Sequence, residues 1–456
     1  MAVTLAAAGT AAPARDGAWP NPVYAWYVVV VLMLAYTNSF IDRQILTLLI
    51  EPIRRDLQIS DTQVSLLGGL AFSIFYTSLG IPLARLADQT NRRNLMIVGV
   101  GVWSVMTALC GITRSFWQLF FARVGVGVGE AALSPAAFSV LADYFPPNRL
   151  GRAVSAYSMG LYLGAGLALL VGGTVVSMVS SAPPQDLPII GRVYPWQLTF
   201  LFVGALGLPI LLIMLTIREP LRRGVRSSGD SKHGASSLPA LRQFVSTNRR
   251  TIVCHFAAFT LFGIGIASYL FWAPSFLMRT YGWQAPQAGW TFGSILFVCG
   301  SAGVFFGGWV ADRLARAGRS DAILRAALYG IFAAMPFVIL TPLAHDPRLA
   351  TAGLAGAVLF FAFPQGLPAA ALQVISPNAL RAQMVALYFF VGNLIANGLG
   401  PTFVALITDY GFGDPKMLRY AIVLINVVAL PASALTLILG LRSYRDSVER
   451  ARVALA

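Results

Sequence analysis

Charged residues are scarce in this chain of 456 residues: Asp, Glu, Lys and Arg make up 11% of it, whereas hydrophobic residues make up 57%. Soluble domains average about 25% charged residues. A soluble globule with so little charge would expose large apolar patches and aggregate. The composition therefore excludes an ordinary soluble protein and favours one that is embedded in a lipid bilayer.

Cysteine and histidine are also rare, with three residues of each type. Cys110, Cys254 and Cys299 lie singly in apolar runs without a CxxC spacing, which argues against a disulfide framework and a zinc site. The sequence contains no HExxH motif, P-loop or Cys/His cluster. We therefore expect no metal, no cofactor and no enzymatic activity. A membrane-embedded enzyme and a passive channel are the alternatives from other functional classes.

Apolar runs long enough to cross a bilayer, which takes about 20 residues, recur along the whole chain. Twelve such runs lie near 24–49, 62–86, 94–112, 116–142, 150–178, 196–217, 250–278, 286–312, 321–343, 349–376, 379–409 and 417–441. One long polar segment separates the first six from the last six. The sequence thus predicts an all-α membrane protein with a tail at 1–23, a six-helix bundle at 24–217, a cytoplasmic linker at 218–249, a second six-helix bundle at 250–441 and a tail at 442–456.

The net charge of +15 raises the question of a nucleic-acid partner. The basic residues, however, lie in short loops between apolar runs and form no stripe with interleaved aromatic residues. If the N-terminus is cytoplasmic, most Lys and Arg residues outside the runs also fall on the cytoplasmic side, as the positive-inside rule requires. We therefore expect cytoplasmic termini, a bilayer as the surrounding medium and no nucleic-acid partner.

A short motif occurs once in each half of the chain. The loop at 84–93 contains Asp88 and Arg92, and the loop at 308–316 contains Asp312 and Arg316 at the same spacing. The equal spacing indicates a duplicated six-helix unit, which is a common architecture of transporters. Both loops resemble the signature loop of the major facilitator superfamily. That resemblance implies the major facilitator fold, with two pseudo-symmetric bundles that alternate between inward-facing and outward-facing states.

The resemblance also implies a cytoplasmic gate that holds the two halves together when the protein faces outward. An Asp four residues before an Arg at a helix end favours a local ion pair, and Asp143 is a further candidate partner for Arg92. A solvated loop, fixed only by the distribution of positive charge, is the alternative interpretation. We expect the gate to contain Asp88, Arg92, Arg93, Asp143, Asp312, Arg313 and Arg316.

Four charged residues lie inside apolar runs of the first half: Asp42, Arg43, Arg123 and Glu130. Such residues are costly in a bilayer and usually face a cavity or a partner. A rise of about 1.5 Å per residue brings Arg123 to the depth of Asp42 and Arg43, with Glu130 deeper. We expect Glu130 to alternate between a proton and a pair with Arg43, and an anionic solute to occupy Arg43 or Arg123. A static ion-pair network is the alternative.

The second half offers aromatic and amide side chains in place of charges. A charged half facing an aromatic half suits an amphipathic ligand, although aromatic residues more often pack in a core or face lipid. The candidate substrate contacts in this half are Tyr269, Trp272, Gln365, Tyr388, Asn393 and Asn397.

Several stretches resemble the spinster subfamily: 42–46, 51–57, 60–63, 85–88, 91–94, 127–131 and 271–274. The resemblance implies export of lysolipids or molecules like sphingosine phosphate, linked to protons. The resemblance also implies that Asp42, Arg43 and Glu130 form the proton-coupling site and that Arg123 contacts the head group of the solute. The Lys-poor composition indicates a bacterial homologue. We expect it to be a monomer in the inner membrane. A carrier of sugar acids, other organic anions or drugs within the same superfamily is the alternative.

Overall fold

The computed structural model describes residues 19–180, 185–187, 191–222, 238–377 and 380–453, and the side chain of Asp88 lies outside the described part. Within these ranges, twelve helices are long and apolar enough to cross a membrane. The prediction of an all-α architecture with twelve spans is therefore confirmed. Two short antiparallel strands, β1 (Gln185–Leu187) and β2 (Gly191–Val193), form a hairpin in the loop after the fifth span.

The first half of the chain contains six spans built from eight helices. The helix that opens it is capped by Asn21, whose side chain accepts a hydrogen bond from the backbone N–H of Val23, a common way to satisfy the first free donors of a helix. The helices of this half are α1 (Pro22–Leu57), α2 (Asp61–Ser65), α3 (Ala71–Gln89), α4 (Arg92–Cys110), α5 (Phe116–Glu130), α6 (Leu133–Tyr144), α7 (Pro147–Ser180) and α8 (Pro195–Met214).

The second half also contains six spans, preceded by a short helix in the predicted linker. That helix, α9 (Leu238–Thr247), shows that the predicted linker 218–249 is partly structured, and the final helix continues through most of the predicted tail 442–456. The helices are α9 (Leu238–Thr247), α10 (Arg249–Tyr281), α11 (Ala285–Ile295), α12 (Ser301–Arg316), α13 (Ala322–Leu340), α14 (Pro347–Ala362), α15 (Leu367–Ile375), α16 (Arg381–Gly392), α17 (Gly398–Leu406) and α18 (Leu418–Val453).

Because the number of spans is even, α1 begins and α18 ends at the same end of the molecule, which we call the terminal end. The opposite end, where α1 and α10 finish, is the far end. Short π-helical segments interrupt three spans: Leu66–Leu70 between α2 and α3, Leu296–Gly300 between α11 and α12, and Asn393–Asn397 between α16 and α17. Such segments locally widen a helix and are frequent at functional sites.

Small residues let the helices approach closely, as is usual in membrane bundles. A Cβ atom added at Gly164 of α7 would lie 2.5 Å from the carbonyl oxygen of Thr37 on α1. Between the halves, a Cβ atom at Gly69 would lie 2.7 Å from the carbonyl oxygen of Gly398. These contacts fix α1 against α7 and bring the second span, in the first half, against the eleventh span, in the second half.

Candidate functional site

The four charges predicted inside the first half come together in the structure, and we call them the N-half charge cluster. Asp42 and Arg43 are on α1, and Arg123 and Glu130 are on α5. Asp42 and Arg123 are 1% exposed and Glu130 is 2% exposed. Charges buried to this degree need partners, since an isolated ion is costly to remove from water.

Asp42 and Arg123 form the fully enclosed pair of this cluster. Nη1 of Arg123 donates to Oδ1 of Asp42 at 2.9 Å, and the hydroxyl of Thr107 on α4 donates to Oδ2. Both carboxylate oxygens therefore accept hydrogen bonds, an arrangement that satisfies the ionised form of Asp42. In this conformation Arg123 is paired with Asp42 and is inaccessible to solvent.

Glu130 is bound through only one of its two oxygens. Its Oε2 accepts from Oγ of Ser39 at 2.5 Å, from Nε of Arg43 at 2.6 Å and lies 2.5 Å from Nη2 of Arg43. Its Oε1 is buried and has no hydrogen-bond partner among the described residues. Oε1 can therefore take up a proton without displacing a hydrogen-bond donor.

At the terminal end, Arg92 holds three parts of the first half together. Its Nη1 donates to Asp143 on α6 at 2.5 Å, and its Nε donates to Glu219, which follows α8, at 2.7 Å. The pair between Arg92 and Asp143 that the sequence predicts is thus present, while Glu219 is a partner that sequence reasoning missed. Arg93 adds a backbone N–H that donates to Glu219 at 2.9 Å.

The second copy of the motif behaves differently from the expectation. Nε of Arg316 donates to the backbone carbonyl of Asp312 at 3.4 Å. The expected local ion pair between their side chains is absent in this conformation, and that prediction is wrong. The guanidinium of Arg313 lies over the ring of Trp309 at 5.5 Å. The side chains of Asp312 and Arg316 are both exposed to water at the end of α12. Because water solvates exposed charges, an ion pair between them would contribute little to stability.

The candidate contacts of the second half fall into two groups. Tyr269 packs against the ring of Phe361 in the bundle core, and Nε1 of Trp272 donates to the carbonyl oxygen of Pro401 at 2.9 Å. Both side chains are therefore engaged within their own half in this conformation. Tyr388 likewise stacks on His255, with ring centroids 5.5 Å apart.

The remaining candidates are more accessible. Gln365 is exposed in the break between α14 and α15, and Asn397 is exposed in the π segment of the eleventh span. Nδ2 of Asn397 donates to Oδ1 of Asn393 at 2.8 Å. A Cβ atom at Gly69 of the first half would lie 3.0 Å from the carbonyl oxygen of Asn397. The two asparagines thus form an amide pair at the interface between the halves.

An ionic cluster at the far end was not predicted from the sequence. Arg279, at the end of α10, donates through Nε to Glu51 at 2.7 Å and through Nη1 and Nη2 to the two oxygens of Asp61 at 2.6 and 2.7 Å. Arg54 lies 2.8 Å from Asp61 as well. We call Glu51, Arg54, Asp61 and Arg279 the far-end cluster; it joins the two halves.

A second contact between the halves lies beside this cluster. Oδ2 of Asp409, near the end of the eleventh span, accepts from the backbone N–H and from the hydroxyl of Thr62, both at 2.7 Å. An acid of the second half therefore caps the N-terminus of α2 in the first half, where the helix dipole favours a negative charge. The sequence signal for both contacts was limited to charged residues at the ends of spans, which does not reveal their partners.

Comparison with known proteins identifies the class to which this fold and site belong. Residues 32–401 match the Major Facilitator Superfamily, so the chain belongs to this superfamily of membrane transporters. It is an integral, multi-pass membrane protein and not an enzyme. The predicted major facilitator fold is confirmed.

Individual relatives support the resemblance to spinster proteins. The chain is 26% identical to protein spinster homolog 1 of Xenopus tropicalis over 85% of this chain and 74% of that protein. It is 27% identical to an MFS-type efflux pump of Mycolicibacterium smegmatis over 95% of this chain and 96% of that protein. A probable L-galactonate transporter of Escherichia coli is 24% identical over 88% of this chain and 86% of that protein.

Solved structures point the same way. A bacterial homologue of the human lysosomal transporter Spinster, in an inward-facing and unoccupied conformation, superimposes with a TM-score of 0.77. The two chains are 26% identical, and the match covers 94% of this chain and 98% of the other. The predicted relationship to the spinster subfamily is confirmed.

Proposed function

We propose that this protein is a proton-coupled secondary transporter of an amphipathic, anionic organic solute of the lysolipid or sphingosine phosphate class, and that Glu130 carries the proton. The observation that carries this proposal is the asymmetry of Glu130, whose Oε2 accepts three close contacts while its Oε1 has no partner among the described residues. A structural ion pair would gain from using both oxygens, as Asp42 does. A proton carrier needs one oxygen free.

Arg43 links Glu130 to the solute. The side chain of Arg43 is 21% exposed, whereas that of Glu130 is fully buried. An anionic group of the solute therefore meets Arg43 before Glu130 and competes with Glu130 for its guanidinium. Once Arg43 turns toward the solute, the carboxylate loses its cation, and burial then favours the neutral, protonated form. Solute binding and proton binding are coupled by this exchange.

Asp42 and Arg123 have a different part in this scheme. Because both oxygens of Asp42 are satisfied, the pair with Arg123 stays ionised while Glu130 titrates. Arg123 reaches the head group only in a conformation in which α1 and α5 separate. In the proposed cycle, Asp42 keeps a negative charge beside Arg43 in both protonation states of Glu130.

The far-end cluster and a gate at the terminal end close the protein alternately. Arg279, Asp61 and Glu51 close the far end, and in the proposed cycle the solute reaches its site from the terminal end in this state. The distribution of positive charge favours the cytoplasm for that end, and the bacterial relatives favour the bacterial inner membrane for the protein. In the opposite state, Arg92, Arg93 and Asp143 of the first half meet Asp312, Arg313 and Arg316 of the second half, with Asp88 as a further member.

The solute lies between a charged face and an amide and aromatic face. Arg43 binds the anionic head, and Gln365 and the pair of Asn393 and Asn397 provide neutral hydrogen-bonding groups on the other side. Tyr269, Trp272 and Tyr388 support this face from within the second half. This division fits an amphipathic solute better than a fully hydrophilic one. The protein works as a monomer, since each chain holds both halves.

A carrier of sugar acids or drugs is the second candidate, since relatives include proteins described as a probable L-galactonate transporter and an MFS-type efflux pump. Melting temperatures of the purified protein separate the candidates, because a ligand stabilises the state that binds it. We expect an anionic lysolipid, lysophosphatidylglycerol, to raise the melting temperature, and galactonate and ethidium to leave it unchanged.

Variants make this test specific. Arg43→Gln should abolish the stabilisation by lysophosphatidylglycerol, whereas Arg85→Gln, at an exposed arginine of α3, should retain it. Stabilisation by galactonate that requires Arg43 would replace the lysolipid proposal with the sugar-acid proposal. Equal stabilisation of both variants by lysophosphatidylglycerol would show only a detergent effect and would reject the assigned site.

A further inference from the structure

Three aromatic rings surround the guanidinium of Arg43. Its Cζ lies 4.8 Å from the ring centroid of Phe40 on α1, 4.2 Å from that of Phe72 and 4.6 Å from that of Tyr76, both on α3. The rings of Phe72 and Tyr76 are stacked, with centroids 5.1 Å apart. We call these three residues the aromatic cage. One ring near an arginine is common in proteins, but three rings around one partly buried arginine form a specific environment.

The cage matters most at the moment when Glu130 is neutral. While Glu130 is ionised, its carboxylate balances the charge of Arg43. When Glu130 takes up a proton, that balance is lost and the guanidinium remains within the span. Ring faces attract a cation through their quadrupole, and the attraction is stronger in a desolvated site. The rings therefore stabilise the free cation more than the paired one.

We propose that Phe40, Phe72 and Tyr76 are positioning residues that hold Arg43 as a free cation and thereby set the pH at which Glu130 exchanges its proton. The inference rests on the proposed role of Glu130 as the proton carrier. It goes further in naming three neutral side chains that tune the coupling without contacting the proton. Their loss should make the neutral form of Glu130 less favourable, so that a higher proton concentration is needed to reach it.

Other charged and ionisable groups also lie near the pair of Arg43 and Glu130. Asp42 on α1 is near Glu130, Tyr36 on α1 and Tyr76 on α3 are near Arg43, and Arg123, on the same helix as Glu130, pairs with Asp42. The charges of Asp42 and Arg123 balance each other at 2.9 Å, so their sum changes little with pH. Tyr76 is both a ring of the cage and an ionisable group, and its two roles must be separated by substitution.

Infrared spectroscopy of the full-length protein in bilayers measures the protonation of Glu130 directly and without a solute. The carbonyl stretch of a protonated carboxylic acid that is present in the wild type and absent in Glu130→Gln belongs to Glu130. Its intensity as a function of pH gives a midpoint. We expect Phe72→Leu, and independently Phe40→Leu from the other helix, to move this midpoint by about half a pH unit or more toward acid, a roughly threefold higher proton concentration.

Two controls separate the ring from other effects. Tyr76→Phe keeps the aromatic ring and removes only the hydroxyl group, and should leave the midpoint unchanged. Phe75→Leu makes the same substitution on the same helix at a partly exposed residue that is not over Arg43, and should also leave it unchanged.

The possible outcomes distinguish the two proposals. A Glu130 band whose midpoint is the same in the wild type, Phe72→Leu and Phe40→Leu overturns the inference about the cage and leaves the proposed function standing. If Glu130→Gln removes no pH-dependent band at all, Glu130 carries no proton, and both the proposed coupling and the inference fail. A shift in Phe75→Leu as large as that in Phe72→Leu also overturns the role of the cage.

Discussion

Removal of Arg279 should open the far end of the protein. This one side chain supplies three close contacts to the other half, two to Asp61 and one to Glu51. The side chain of Arg279 is 8% exposed and that of Asp61 is fully buried. In Arg279→Gln, Asp61 keeps Arg54 as a cation but loses both bonds across the interface.

The magnitude follows from the burial. Truncation of one partner of a buried ion pair costs about 3–5 kcal/mol, and we take the lower end because Glu51 is 31% exposed and its contact is partly screened. In a conformation that is open at the far end, water solvates these groups and the substitution costs little. Since about 1.4 kcal/mol is a factor of ten, the ratio of closed to open molecules should fall by about 100-fold.

Pulsed electron paramagnetic resonance can measure this ratio. Spin labels at Arg55→Cys and Lys416→Cys, both exposed at the far end of opposite halves, report the distance between the halves once the three native cysteines are replaced. We expect Arg279→Gln to move most of the distance distribution to longer values. Arg348→Gln, at an exposed arginine of the same end, is the matched control. Identical distributions in the two variants would refute the assignment of the far-end cluster as a gate.

Three further predictions concern stability and closure. Asp409→Asn removes the charged cap of α2 and should increase the open population by less than Arg279→Gln does, about tenfold or less, in the same distance measurement. Asp42→Asn leaves Arg123 without a buried counter-ion and should lower stability by about 3 kcal/mol, seen as a clear fall in melting temperature; an unchanged value would contradict the role of this pair. Gly164→Ala forces a Cβ atom to within 2.5 Å of a carbonyl oxygen of α1 and should lower the melting temperature, whereas Gly80→Ala, with open space around it, should not.

Much of the architecture follows from the sequence because lipid imposes simple rules. Each span must be a long apolar helix whose backbone satisfies its own hydrogen bonds, so counting apolar runs gives twelve spans. Charges within such runs must find one another, so the depths of Asp42, Arg123 and Glu130 already indicate that they meet. The pair between Arg92 and Asp143 follows from the same kind of argument at a helix end.

Contacts between the halves were harder to predict, since they depend on which state the protein occupies. Nothing in the residues around Arg279 indicates that Asp61, far away in the sequence, lies opposite. The rule for pairs four residues apart also failed at Asp312 and Arg316, because an exposed arginine gains little from a nearby acid and bonds to a backbone carbonyl instead. The hydrogen bond from Trp272 to the carbonyl oxygen of Pro401 within the same half also has no signature in the sequence.

If Glu130 couples solute movement to protons, its substitution should separate binding from coupling in one variant. Proteoliposomes that contain Glu130→Gln are compared with wild-type proteoliposomes for exchange of labelled lysophosphatidylglycerol at equal pH and for its accumulation driven by a pH gradient. Glu449→Gln, at an exposed glutamate of α18, controls for the substitution. We predict that Glu130→Gln retains exchange and loses gradient-driven accumulation, while Glu449→Gln retains both. Accumulation by Glu130→Gln that still follows the pH gradient would contradict the account.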